Sequence, residues 1–191
     1  MIDKSVPYIE IIMRRNPGLS LPVCPLPEGY SFKMYEPGNE KDWAQIENSV
    51  EEFDSYEEAL EYFTEEFIPY KAELMRRCVF VKAPDGELVG NAMAWWDYVG
   101  QRRHPLVHWV AVKPNQQGKG LGKALTAEVV RLMTVTDGDG IFYLGTQTTS
   151  YKAVGIYEWA GFFISDEKDI LGHKNDKYEE AVALIKSLRN S

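Results

Sequence analysis

Apolar positions along the chain switch between two periods, and the switches mark the elements. Residues 8–13 (YIEIIM) are rich in β-branched and aromatic types and read as a strand. Pro17, Pro22, Pro25 and Pro27 then make an extended connector. A second strand runs over residues 30–36, and the turn Pro37-Gly38-Asn39 starts a helix reaching residue 50, with Asn39 as its cap. Tyr56, Leu60, Phe63 and Phe67 recur at helical spacing, Pro69 breaks that helix, and a last helical piece reaches Arg77. Residues 78–82, 88–98 and 106–112 read as strands, joined by the turn Pro84-Asp85-Gly86 and a polar loop at 100–105. Leu121, Leu125, Val129 and Leu132 mark an amphipathic helix. A strand at 141–146, a helix at 150–159 stopped by Gly161, a strand at 162–165 and a terminal helix at 178–188 complete the order. An antiparallel meander followed by strand–helix–strand–helix is an α+β pattern with a mixed sheet.

Composition narrows the class. At 191 residues, 45% hydrophobic and 26% charged, the chain is long enough for one core without staples. The expected division is an N-terminal strand and Pro-rich connector (1–28), a central domain (29–166), and a C-terminal loop and helix (167–191) belonging to that domain. The first ten residues carry Asp3 and Glu10 with no basic-then-apolar layout, and no apolar run reaches membrane-spanning length. Cys24 and Cys78 have no metal-ligand spacing. These features point to a cytoplasmic protein with reduced thiols, no metal and no membrane partner. A net charge of −8 argues against a nucleic-acid surface. The charge is uneven: residues 36–66 hold twelve acids against Lys41, and residues 101–131 hold six bases against Glu128. Solvated helix faces explain the first stretch plainly; the sharper reading is a cationic place for an anionic cofactor opposite an acidic place for a cationic substrate.

The chemistry concentrates in Gln117-Gly118-Lys119-Gly120-Leu121-Gly122, between a strand and a helix. Its glycines permit positive φ and close approach of a ligand. The helix start adds unpaired N–H groups and partial positive charge, a cradle for phosphate beside Lys119 and Lys123. Counting from Gly118, Lys123 stands where a Walker loop needs its second glycine, and Lys123 again stands where a Rossmann fingerprint needs its third. Other phosphate ligands, and a plain tight turn, stay open on local pattern.

Val110-Ala111-Val112-Lys113-Pro114 followed by Gln117-x-x-Gly120-x-Gly122 resembles the acetyl-CoA-binding motif of the GNAT superfamily of N-acetyltransferases. Ala153-x-x-x-Tyr157-Glu158-x-x-Gly161-Phe162 resembles that family's closing motif, in the right order and at the right distance. One departure is Ser150, where many members have an asparagine that contacts the cofactor. The resemblance covers residues 30–165 and implies the acyl-CoA N-acyltransferase fold. It further implies pyrophosphate bound by the N–H groups from Gln117 to Lys123, and pantetheine paired with the backbone of Val110 and Val112, Ala111 lying between. Those N–H groups would also polarise the thioester carbonyl.

The implied activity is acetyl transfer from acetyl-CoA to a primary amine of a small molecule or peptide, by direct attack in a ternary complex. An ammonium with a pKa of about 10.4 costs about 4.6 kcal/mol to deprotonate at pH 7, so the site needs a base, and it needs an acid for the leaving thiolate. The resemblance places Tyr157 near the sulfur as the acid; a core tyrosine is the plain alternative. For the base, His108 lies two residues before Val110, on the same face by strand alternation, and the arylalkylamine branch of the family uses a histidine at a corresponding strand position. Asp97, at the end of the neighbouring strand, is the other candidate, acting through water or as an anchor for a cationic amine. A satisfied core histidine and a solvated strand-end acid are the plain alternatives. Tyr70, Trp95, Trp96 and Trp109 are candidates for the acceptor wall. Two further readings stand beside the enzyme: a CoA-binding sensor or interaction module of the same fold without catalysis, and an unrelated phosphate-ligand binder. The N-terminal strand and C-terminal helix are candidate homodimer elements.

Overall fold

The computed structural model describes residues 3–189. Strand β1 (Glu10–Arg15) precedes the Pro-rich connector, and β2 (Ser31–Met34) follows it. Helices α1 (Glu40–Ser49), α2 (Tyr56–Glu66) and α3 (Lys71–Arg77) lead to the meander β3 (Cys78–Lys82), β4 (Leu88–Val99) and β5 (Arg102–Val112). Helix α4 (Leu121–Asp137), β6 (Phe142–Gln147), α5 (Tyr151–Trp159) and β7 (Phe163–Ile164) come next. A hairpin of β8 (Asp169–Ile170) and β9 (His173–Lys174) and helix α6 (Tyr178–Arg189) close the chain. Among the described residues no helix is long and apolar enough to cross a membrane.

Among the described residues one sheet holds seven strands in the order β2-β3-β4-β5-β6-β1-β7, antiparallel except for β5 beside β6. Alternation along the central strands feeds two cores. Val79 and Val81 pack with Ala92, Ala94 and the apolar stripe of α4 (Leu121, Leu125, Val129 and Leu132). Cys78 and Phe80 pack on the other side with Met93, Trp95 and an aromatic layer from α1 and α2, where Trp43, Phe63 and Phe67 have ring centroids 5.0–6.1 Å apart.

The sequence reading locates β1 but not its neighbours. The first strand of the chain inserts between β6 and β7, pairing antiparallel with both, Arg15 opposite Phe142 and Met13 opposite Ile164. Thr148 secures the entry: its hydroxyl accepts from the Ile9 N–H (2.8 Å) and donates to the Pro7 carbonyl. Arg15, 1% exposed, donates to the carbonyls of Ala160, Leu19 and Ser20, fastening the connector to the end of α5.

Three local expectations change. The polar segment at 100–105 is mostly strand, because Arg102, Arg103 and His104 pair with Val99, Tyr98 and Asp97, and Arg103 gains an ion pair with Asp137 (3.1 Å) and a face of Trp96 (4.2 Å). Asn39 begins α1 without capping it; its amide bonds the Glu36 N–H and the Asp42 carboxylate instead. The hairpin β8–β9 turns through Leu171 and Gly172, both at positive φ (51° and 78°), a turn that no Gly-rich or Asn-Gly signal announces.

Candidate active site

The site opens where β5 and β6 part. These parallel strands pair only at Leu106–Tyr143 and Val107–Leu144, then diverge. Opposite, the register of β4 on β5 slips between Asn91 and Met93, and Trp109 takes φ 50°, the geometry of a β-bulge. The buried Asn91 amide holds the bulge by donating to the Trp109 carbonyl (2.7 Å). The bulge also breaks the expected alternation. His108 and Trp109 both turn to the aromatic layer, their rings near Phe67 (6.2 Å) and Trp43 (5.3 Å), whereas Val110 packs with the α4 side. His108 and Val110 therefore do not share a sheet face; they meet because both border the gap.

Two cavities flank that gap. The larger, about 600 Å³, runs from Val110, Ala111 and Val112 past Gln117, Gly118 and Gly120 to Leu121, Gly122 and Lys123, with Thr126, Lys152, Ala153, Ile156 and Tyr157 opposite. Gly118 and Gly120 have φ of 79° and 84°, and a Cβ on either would meet nothing within 4 Å, so conformation rather than crowding requires glycine. The first bond of α4 runs from the Ala124 N–H to the Gly120 carbonyl, which leaves the preceding N–H groups facing the cleft as a first helical turn does. An apolar strand edge, a row of loop N–H groups and two lysines suit a long thiol ester with phosphates at one end. The Gln117 amide donates to the Val112 carbonyl (2.9 Å) and ties loop to strand. Lys119 is not on the wall; it donates to Tyr30 and Gln116. Lys123 lines the cleft with its ammonium 4.2 Å from the Trp159 ring. Lys152 adds a charge on the opposite wall that no sequence motif signalled.

The smaller cavity, about 270 Å³, shares Val110, Ala111, Val112, Gln117, Ala153 and Tyr157 with the first and continues to His108, Trp109, Gly145, Thr146, Gln147 and Ser150. Ser150 starts α5 but does not cap it; its hydroxyl accepts from the Gln147 amide (3.2 Å).

A sequence model described as the acetyltransferase (GNAT) family matches residues 41–162. The chain belongs to that family. GNAT proteins of known structure share its fold: a GCN5-related N-acetyltransferase from Sphaerobacter thermophilus superposes with a TM-score of 0.62 at 21% identity, over 82% of this chain and 48% of that one. A tandem GNAT protein from the clavulanic acid biosynthesis pathway superposes with 0.61 at 12% identity, over 85% of this chain and 52% of that one. In sequence, the mycothiol acetyltransferase of Streptomyces coelicolor is 31% identical over 170 residues, 86% of this chain and 53% of the relative. That of Streptomyces avermitilis is 30% identical over 168 residues, with the same coverage. The chain spans about half the length of these relatives.

Within this GNAT cleft the candidate residues separate. Tyr157, 9% exposed, stands where the two cavities join, and burial followed by the nearby Glu47 and Glu52 charges raises its pKa. It therefore keeps its proton at neutral pH. His108 lines the smaller cavity, half-buried, and burial lowers its pKa to about 4 against a partial offset from Asp97. Asp97 is exposed, lines neither cavity, and its carboxylate accepts from the Tyr98 N–H (2.7 Å). Of the aromatic candidates only Trp109 is on the wall. Trp95 and Trp96 stack on each other at 4.3 Å with Tyr70 edge-on, away from the cavity.

Sequence reasoning missed Glu47 and Glu52. Glu47 is 1% exposed, and Glu51, at φ 63°, turns the chain out of α1 and brings Glu52 to the same cavity. The signal was present: Trp43, Ile46, Glu47 and Val50 keep the i, i+3, i+4, i+7 spacing of a buried stripe, with a carboxylate inside it. The Asn91 amide donates to Glu47 Oε1 (2.7 Å), but burial and the Glu52 charge outweigh that bond and lift the Glu47 pKa to about 8. Burial lowers the proton affinity of the His108 imidazole and raises that of the Glu47 carboxylate. Among the candidates, the imidazole is thus the poorer acceptor.

A stability test follows from the sign of the Glu47 shift. With a folded value of about 8 against an ordinary 4.5, the folded protein binds a proton that the unfolded chain lacks between those values. Stability is lost as pH rises through that window. The unfolding midpoint of Glu47→Gln is expected to fall less than that of the parent between pH 5 and pH 8.5; parallel curves would show that the carboxyl is not buried unpaired.

Proposed function

We propose that the chain transfers an acetyl group from acetyl-CoA to a primary amine by direct attack in a ternary complex. The observation that carries this reading is the junction of two cavities at Tyr157 and Val110 to Val112. One has the donor set for a CoA thioester, and the other is compact and acidic. Loop N–H groups from Gln117 to Lys123 hold phosphate, with Lys123 and Lys152 adding charge. The edge of β5 left unpaired by β6 is open to pantetheine, and its N–H groups face the carbonyl on which charge develops. Tyr157 supplies the proton for the departing sulfur. The name shared by the Streptomyces relatives supports the reaction class. Because Glu47 and Glu52 line the second cavity, the amine enters as a cation, and a cavity of about 270 Å³ fits a small amine or the end of a larger one.

The test is acetyl-CoA-dependent thiol release across n-butylamine, a diamine, an amino sugar and a peptide N-terminus, beside thermal unfolding with acetyl-CoA, ATP and NAD. Release above spontaneous hydrolysis and the largest upward shift with acetyl-CoA are expected. A shift with no turnover on any amine would favour a non-catalytic CoA-binding module. A larger shift with ATP would overturn the cofactor.

A further inference from the structure

Glu47 has features that burial alone does not explain. Its carboxyl is enclosed by α1, β4, β5 and α5, yet no Lys or Arg lines the cavity it borders. Its neighbours are Asn91, a second acid (Glu52), His108, the Tyr157 phenol and, on β3, the buried Cys78 thiol. The Asn91 amide bonds two acceptors, Glu47 Oε1 and the Trp109 carbonyl, so its NH₂ must face them and hold the carboxyl against the bulge where the thioester arm passes. Exclusion from water and a like charge alongside favour the protonated carboxyl at rest; once ionised it meets no Lys or Arg among the residues lining the cavity, so a cation that pairs with it comes from outside.

We propose that Glu47 receives the acceptor's ammonium, with Glu52 beside it, and takes the proton that frees the nitrogen lone pair, Asn91 acting as the positioning residue. The inference rests on the acetyl-transfer reading. The freed nitrogen bonds to the carbonyl carbon, the carbon–sulfur bond breaks with its electron pair on sulfur, and the Tyr157 phenol gives sulfur its proton. The resulting tyrosinate regains a proton from the new amide nitrogen. Glu47 releases its own to solvent, so one proton leaves per turnover. This assignment moves the base from β5, where His108 stands, to the buried face of α1.

Kinetics of Glu47→Gln and Glu47→Asp test it, with the best acceptor of the amine panel. Glutamine keeps the shape and the bond from Asn91 but cannot take a proton, so kcat/KM is expected to fall about 10²–10³-fold. The rise of kcat/KM near pH 8 disappears with it, the shift in unfolding temperature given by acetyl-CoA is unchanged, and Glu47→Asp recovers part of the loss. Activity of Glu47→Gln within about threefold of the parent, or an unchanged pH profile, would overturn the assignment while leaving acetyl transfer intact. Absence of turnover by the parent itself overturns the acetyl-transfer reading, and this inference with it.

Discussion

Replacing Tyr157 by phenylalanine is expected to lower turnover by about 10²–10⁴-fold while acetyl-CoA affinity stays nearly unchanged. Only the hydroxyl is lost. The ring keeps its place in the core, with its centroid 6.5 Å from Phe162, so the wall shared by the two cavities survives. Under the role proposed for Tyr157 the leaving thiolate loses its proton donor, which is a transition-state loss rather than a binding loss. The sign of the Tyr157 shift adds a check. Burial and the Glu47 and Glu52 charges hold its pKa above the ordinary 10.0, so the parent's acid stays protonated and contributes no alkaline decline below that pH. Single-turnover rates against acetyl-CoA titration separate the outcomes: equal losses in rate and affinity would make Tyr157 a structural residue.

Replacing Arg77 by methionine is expected to destabilise the fold by about 3–5 kcal/mol. Arg77 is fully buried at the end of α3, where its guanidinium forks onto Asp137 at the end of α4 (2.6 and 3.0 Å). The same group donates to the Ala94 carbonyl (2.9 Å) and Glu73 (2.6 Å) and lies 5.2 Å from the Trp96 ring. Removing it strands a carboxylate whose side chain is 6% exposed, with Arg103 as the remaining cation. Urea unfolding measures the cost, and the double variant Arg77→Met, Asp137→Leu is expected to recover much of it, because the stranded charge goes too. A single-variant loss under about 1 kcal/mol would mean that Arg103 alone satisfies Asp137.

Features set by local chemistry were readable from the chain. Gly118 and Gly120 require positive φ ahead of a helix, and the spacing of Leu121, Leu125, Val129 and Leu132 required one buried face. Tyr157, four residues before Gly161, is a candidate from its motif, and it lines both cavities. The face of His108 was misjudged because alternation holds only in a regular strand, and the bulge at Trp109 is imposed by the β4 partner and Asn91. Asp97 is a candidate base in the sequence because a strand end near the site is visible in one dimension, whereas its exposure is not.

The sequence by itself determined the order of the helices and of β1 to β7, the glycine loop before α4 and the family motifs, since each rests on residues within a few turns of one another. Only the tertiary structure decided which strands neighbour β6, which of twelve acids from Glu36 to Glu66 turns inward, and that Glu47 and Tyr157 border one cavity. The reason is physical. A carboxylate's proton affinity depends on desolvation, hydrogen bonds and the charges around it, and for Glu47 these are burial under α1, the Asn91 amide and the Glu52 charge, brought together by a sheet whose pairings run far along the chain.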